Sequence, residues 1–215
     1  MQPGYGGPGE GPAVLLDRPS KRPIQTRGCE ARRRVEVGAY RLFARKGPEG
    51  ITVRELLGHA NTSPGFIKSH YDSIERLVEV AVDGRSRKVV GDILAFVPGR
   101  GTPRMLVQKA AAHAAQVVAT SDYRELLMVC LREPDRWKAV LAALGAALAG
   151  CARAALEASS PPVFAHEAAL IAFGDELHMR LALRPLLTRE DPSAAEVADA
   201  AARAASELLK GLFQP

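Results

Sequence analysis

The chain is short of several things, and each shortage excludes a class of protein. It has three cysteines in 215 residues, Cys29, Cys130 and Cys151. The number is odd and the spacings are wide, which argues against a disulfide scaffold and against a zinc-ligand pattern. Cys130 and Cys151 stand in apolar surroundings and read as small core residues. Aromatic residues make up 5% of a chain that is 47% hydrophobic, so the core must be aliphatic and rich in alanine. There is no glycine-rich phosphate loop, no nucleophile elbow and no CxxC pair. Asp175 and His178 lie three apart on one expected helix. A di-metal bundle needs two such units and two further carboxylates, so Glu176 and His178 are read as making surface or interface hydrogen bonds. The expectation is a non-enzyme with no metal and no cofactor. No strand pattern and no internal repeat competes with a helical reading. The N-terminus shows no apolar signal core. The longest apolar run, 139–152, is mostly alanine, is flanked by Arg136, Lys138 and Arg153, and falls short of the roughly 20 residues of a membrane span. It reads as a buried helix of a cytoplasmic protein without membrane contact.

Charge is not strongly one-sided either, with 29 Lys and Arg against 24 Asp and Glu and a formal net charge of +5. Its distribution says more than its total. Arg27, Arg32, Arg33, Arg34, Arg41, Arg45 and Lys46 crowd one early segment, diluted only by Glu30 and Glu36. Such a local field suits a polyanion; a solvated helix face is the plainer alternative.

What is present is helix punctuation. Residues 1–23 are rich in Gly and Pro, lack periodicity and are expected to be a disordered arm. Its Arg18, Lys21 and Arg22, with Arg27, could reach a minor groove, although a solvated tail is the simpler reading. A helix begins near Arg27, with Val35, Ala39, Leu42 and Phe43 on one stripe, and stops at Gly47 and Pro48. Three helix starts then follow closely. Thr52 with Glu55 forms a capping box. Ser63 is an N-cap followed by Pro64 at the first helical position. Asp72 with Glu75 can form another box. Asn61 marks a tight turn between the first two of these helices, and Val53, Leu56, Leu57, Ala60 and Ile67 supply a small core that sets their angle. Further helices are expected over 73–96, from Thr102 and Pro103 to about 120, over 123–131, from Pro134 to about 158, from Pro162 to Leu183 with Pro185 as the stop, and from Pro192 to Phe213 behind an Asp191–Pro192 cap. The fold class is all-α with about nine helices.

Two short helices joined by a tight turn behind a basic segment are the architecture of a helix-turn-helix DNA reader. The residues then carry a family likeness. Gly50, Ile51, Thr52, Val53, Arg54, Glu55 and Leu56 are followed by Ala60, Asn61, Thr62, Ser63, Pro64 and Gly65, then by His70 and Tyr71, then by Glu75 and Leu77. This order resembles the N-terminal domain of TetR-type (TetR/AcrR) transcriptional regulators over residues 27–81. The chain departs from the pattern at Asn61, Thr62, Phe66 and Lys68. The resemblance implies an arm over 1–23, a three-helix DNA-binding domain over 24–72 and a helical ligand-binding and dimerisation domain over 73–215. It implies a homodimer that binds a palindromic double-stranded DNA operator, most often as a repressor, and is released by a small-molecule effector. A helical ligand- or partner-binding protein whose DNA head has lapsed is the alternative.

On this reading the recognition helix runs from Ser63 to about His70. The backbone N–H groups near Pro64, Gly65 and Phe66 favour a phosphate. Lys68, Ser69 and His70 have the reach for phosphates or base edges, and Phe66 can press on a thymine methyl or sit in the core. Thr52 and Arg54 meet the DNA backbone or an edge base. His70 can instead bond within its own head, and Tyr71 has a mixed role. The candidate ligand-pocket residues are His113, Gln116, Met128, Trp137 and Phe173, although a Met or Trp at helical spacing is core more often than wall. The aliphatic body suggests an apolar effector. The last two long helices are the expected dimer contact, with Ala194, Val197, Ala198, Ala201, Ala205, Leu208, Leu209 and Leu212 forming a broad apolar stripe.

Overall fold

A computed structural model describes residues 24–47, 50–60 and 63–212. The arm, the turn residues Asn61 and Thr62, and Phe213 lie outside the described residues.

Nine helices are described, and no strand is found among the described residues. They are α1 (Ile24–Lys46), α2 (Val53–Ala60), α3 (Pro64–Tyr71), α4 (Ile74–Leu94), α5 (Pro103–Val118), α6 (Ser121–Arg132) and α7 (Lys138–Glu157). α8 runs over Glu167–Leu177 and continues through a π-helical turn, His178–Leu183, into a last α-turn, Arg184–Thr188; α9 is Ala194–Gly211. α1, α2, α3 and the start of α4 enclose one end of the core, with Val35, Ala39, Phe43, Leu56, Ile67, Tyr71 and Leu77 all buried. α4 passes from there into the body and packs on α7, which also contacts α5 and α8, while α9 lies across α5 and α8. The scarcity of aromatics is met as expected: Ala110, Ala111, Ala114, Ala115, Ala147, Ala152, Ala155, Ala200 and Ala204 line the contacts and let the helices approach closely.

Local signals fix most starts. Glu55 N–H donates to Thr52 Oγ1 at 3.3 Å and Thr52 N–H donates to Glu55 at 3.4 Å, completing the expected box. Thr102 caps α5 by accepting from Met105 N–H, and Thr120 caps α6 by accepting from Tyr123 N–H. Gly47, at φ 78°, ends α1 in a left-handed conformation open to glycine.

Several boundaries differ from expectation, α8 among them, which begins at Glu167 rather than at Pro162. Ser73, not Asp72, caps α4, accepting from Arg76 N–H at 3.1 Å. Asp72 is instead the corner itself, at φ 59° and ψ −48°, with Ser73 N–H donating to the Tyr71 carbonyl across it. Ser193, not Asp191 or Pro192, caps α9 in a full capping box with Glu196. α7 begins at Lys138 rather than at Pro134, because Trp137 is anchored by long-range packing: it is buried, edge-on to Phe43 at 6.4 Å, with the Arg136 guanidinium over its face at 4.9 Å. Pro185 does not stop α8. The π turn before it moves the Arg184 N–H onto the Met179 carbonyl, five residues back. Pro185 thereby enters the first turn of a new helical segment, where a missing N–H is tolerated.

α7 has the length and composition of a membrane span, and it is longer than the apolar run suggested. Its Leu144, Ala147, Leu148, Cys151, Ala152, Ala155 and Leu156 are buried against the other helices. Burial pushes the thiols of Cys130 and Cys151 up to about 12, while Cys29 is exposed on α1.

Candidate nucleic-acid interface and ligand clefts

α3 divides its residues cleanly between anchor and outward face. Ile67 is 5% and Tyr71 2% exposed. The Tyr71 hydroxyl donates to Glu36 Oε1 on α1 at 2.9 Å. Arg32 approaches the same carboxylate at 3.2 Å and lies 5.6 Å from the tyrosine ring centre. Burial, then the Glu36 carboxylate, raises the Tyr71 phenol well above its ordinary value, so it stays protonated as a donor. This triad pins α3 to α1. Tyr71 therefore acts as an anchor and offers no surface to a base. Glu36 and Arg32 were not singled out by the sequence, because a pairing across 35 residues leaves no local pattern.

Ser63, Gly65, Lys68, Ser69 and His70 face outward. The Ser63 hydroxyl makes no capping bond, and Phe66 N–H is taken by the Ser63 carbonyl at 3.0 Å. The serine oxygen is thus available beside the N-terminal end of α3, where an anion is favoured. Phe66 is half-buried and stacks on His70, with ring centres 4.1 Å apart and planes 18° off parallel. His70 Nδ1 lies 2.9 Å from the Phe66 carbonyl and 2.8 Å from Ser69 Oγ. His70 is thus held within its own helix, leaving its other edge outward. Arg54 is exposed on α2. The Thr52 hydroxyl is engaged in the capping box, and Glu55, beside it, also pairs with Lys46.

The electrostatics of this end are one-sided. Glu36 and Glu55 are both engaged internally. Arg33, Arg34, Arg41, Arg45, Arg54 and Lys68 have no carboxylate partner among the described residues. Arg33, Arg34, Arg41 and Arg45 share one face of α1 and border an open cleft of about 500 Å³ with Glu30, Val37 and Gly38, so that basic groups outnumber acidic ones there.

In the body the five candidate pocket residues are dispersed. His113 is half-buried; its Nε2 lies 2.9 Å from the Asp92 carbonyl and its ring is beside Phe96. Gln116 is exposed. Trp137 and Phe173 are core residues. Met128 borders a cleft against α1. A different cleft, of about 630 Å³, is walled by Leu127 and Leu131 of α6, Leu141, Gly145 and Ala149 of α7, and Ile171 and Met179 of α8. Glu167, Asp175 and His178 are its polar groups. The His178 ring meets the Tyr123 hydroxyl inside the body, not at the surface, while Glu176 pairs with Arg180. Burial lowers the His178 pKa, opposed by Asp175, so the ring is neutral at pH 7. The apolar stripe of α9 is also placed differently: Ala201, Ala205 and Leu208 are buried within the subunit on α5 and α8, and Ala194 and Ala198 are exposed.

No protein-family profile matches the chain, and no curated protein matches its sequence. Solved structures match its shape. A structure assigned to the TetR-family transcriptional regulators of Mesorhizobium loti superposes with a TM-score of 0.61 at 17% identity, covering 86% of this chain and 97% of the other. One assigned to the same family from Rhodococcus sp. gives 0.59 at 13%, covering 86% and 99%. A TetR transcriptional regulator from Agrobacterium tumefaciens gives 0.59 at 17%, covering 84% and 92%. Identities this low establish the fold.

Proposed function

We propose, from the TetR-type fold that this chain adopts, that it is a cytoplasmic DNA-binding transcriptional regulator and not an enzyme. The observation that carries the reading is the split of α3. Ile67 and Tyr71 are anchored in the core, while Lys68, Ser69 and His70 are presented outward, in a chain end whose Arg33, Arg34, Arg41, Arg45 and Arg54 have no carboxylate partner among the described residues. Residues 24–72 serve as the DNA head and 73–215 as the sensing and dimerising body. Lys68 reads a base edge or holds a phosphate, Ser63 and the N-terminal end of α3 hold a phosphate, and Thr52 and Arg54 flank them on the DNA backbone. A homodimer through α8 and α9 would set two recognition helices about 34–36 Å apart, one DNA turn, and so favour a palindromic operator. The exposed small residues Ala168, Ala172, Ala195, Ala198 and Ala202 support that contact. The dimer acts as a repressor. A small apolar effector in the α6–α7–α8 cleft releases it, with His178 as the polar anchor among apolar walls.

The test is selection of bound sequences from random duplex DNA by the purified protein. A palindromic motif, bound with an affinity that falls steeply with salt through counterion release, supports the proposal. No enrichment over bulk DNA at moderate salt refutes it.

A further inference from the structure

A second cleft, distinct from the apolar one, lies where the DNA head meets the body. It holds about 580 Å³ between the last turns of α1 (Arg41, Ala44, Arg45), the first turns of α6 (Ser121, Arg124, Glu125, Met128) and Leu186 near the end of α8. Its walls bring three guanidiniums together with one carboxylate, the exposed Glu125, and Asp191 adds a second carboxylate at Arg124. Arg41 and Arg45 have no acidic partner among the described residues; Arg45 Nε donates only to the Arg41 carbonyl, at 3.3 Å.

Arg124 is the most buried of the three and is only partly satisfied. Its side chain is 12% exposed. One terminal nitrogen reaches Asp191, whose own side chain is 87% exposed on the segment before α9. The other, Nη1, is buried without a hydrogen-bond partner among the described residues. A desolvated guanidinium nitrogen with no protein acceptor is uncommon and calls for a water or an anion. Three like charges at one cleft are also mutually unfavourable until an anion joins them. Ser121 adds a hydroxyl at the N-terminal end of α6, where the helix dipole favours negative charge. The remaining wall, Ala44, Met128 and Leu186, is apolar and has nothing to offer a bare ion.

We infer that this cleft binds a small organic anion, with a carboxylate or phosphate head against Arg41, Arg45 and Arg124 and a short apolar body against Ala44, Met128 and Leu186. Asp191, 87% exposed and paired with Arg124, competes with the anion for that guanidinium. Bound there, the anion ties α1 to α6, and so the head to the body. The inference stands whether or not the head binds DNA.

The experiment is calorimetric titration of the full chain, without DNA and at constant ionic strength, with benzoate, phenyl phosphate, inorganic phosphate and benzyl alcohol. One of the two aromatic anions should saturate a single site, and which one identifies the head group. Benzyl alcohol and inorganic phosphate should each bind at least tenfold more weakly than that anion. Arg41→Gln combined with Arg45→Gln should weaken the anion at least tenfold with an unchanged melting curve, since both side chains are exposed; Arg124→Met should do the same. Benzyl alcohol binding as tightly as the anions would overturn the charge argument. Inorganic phosphate binding as tightly would overturn the apolar one. Unchanged binding in the double variant, or no saturation by either aromatic anion up to about 10 mM, overturns the site.

Discussion

The Arg132 guanidinium, at the last residue of α6, donates to the Phe43 carbonyl at 3.0 Å and to the Arg45 carbonyl at 3.3 Å. Both acceptors belong to the final turn of α1, where the Phe43 carbonyl also accepts from the Gly47 N–H at 2.9 Å. A side chain of α6 thus caps the C-terminal end of α1. The same helix, α6, carries Leu127 and Leu131 into the apolar cleft and Arg124 into the cationic one. Movement of α6 is therefore felt directly at α1.

Arg132→Gln should lower the unfolding free energy by about 1 kcal/mol, because charge-assisted bonds to two carbonyls are lost from a partly exposed position. Arg132→Lys should restore little of it, since a single ammonium lacks the planar fork that spans both carbonyls. Urea denaturation of the three proteins checks this, and full rescue by lysine would contradict it.

Lys68→Ala should weaken operator binding by about 1–3 kcal/mol if the side chain reads a base, uniformly at all salt concentrations. A phosphate contact would instead reduce the salt slope by about 1. Fluorescence anisotropy over a salt series separates the two, and affinity unchanged throughout refutes both roles.

Asp72 should be improved by glycine. Its φ of 59° with ψ −48° and the Ser73 N–H to Tyr71 carbonyl bond define a tight γ-turn of the positive-φ kind, which strains any residue with a Cβ. Such strain costs about 1–3 kcal/mol, and glycine loses back about 0.5–1 kcal/mol in chain entropy. Asp72→Gly should therefore stabilise the chain by about 1 kcal/mol in denaturant melts, and a loss of stability would show that the corner is unstrained.

His178 should make stability depend on mildly acidic pH. Burial lowers its pKa in the folded state, the nearby Asp175 only partly offsetting this, and the facing Tyr123 hydroxyl remains un-ionised. A depressed folded-state pKa means that the unfolded chain takes up the proton first. The associated stability is complete above the ordinary histidine value near 6.5 and is lost as pH falls below it. Melting curves from pH 7 to pH 5 should fall more steeply for the native chain than for His178→Gln; parallel curves would remove His178 as the cause.

How far the sequence could be read follows from the range of each interaction. Thr52 with Glu55, and Thr102 with Pro103, act within three residues, and their helices begin where those residues say. The caps at Ser73 and Ser193 were missed by one or two positions because Asp72 and Asp191 are equally good capping residues in isolation. Two prolines misled for a different reason. Pro134 was overruled by Trp137 packing on Phe43, and Pro185 by a π turn that no local propensity announces. The site divides in the same way. The outward face of α3 was legible from its motif. The Tyr71–Glu36 bond, the Arg132 cap and the meeting of Arg124 with α1 join residues 35 to 89 positions apart, and only the fold brings them together.

The contrast among the three thiols has a practical result. Cys130 and Cys151 are buried and held protonated by burial, so a maleimide reagent under native conditions meets Cys29 alone among them. That residue sits on α1, the helix that Arg132 holds and that Tyr71 pins to α3. The native chain thus already carries a single dye-attachment point on its head. In a homodimer the two dyes would form a distance ruler across the operator, reporting head separation without one engineered residue.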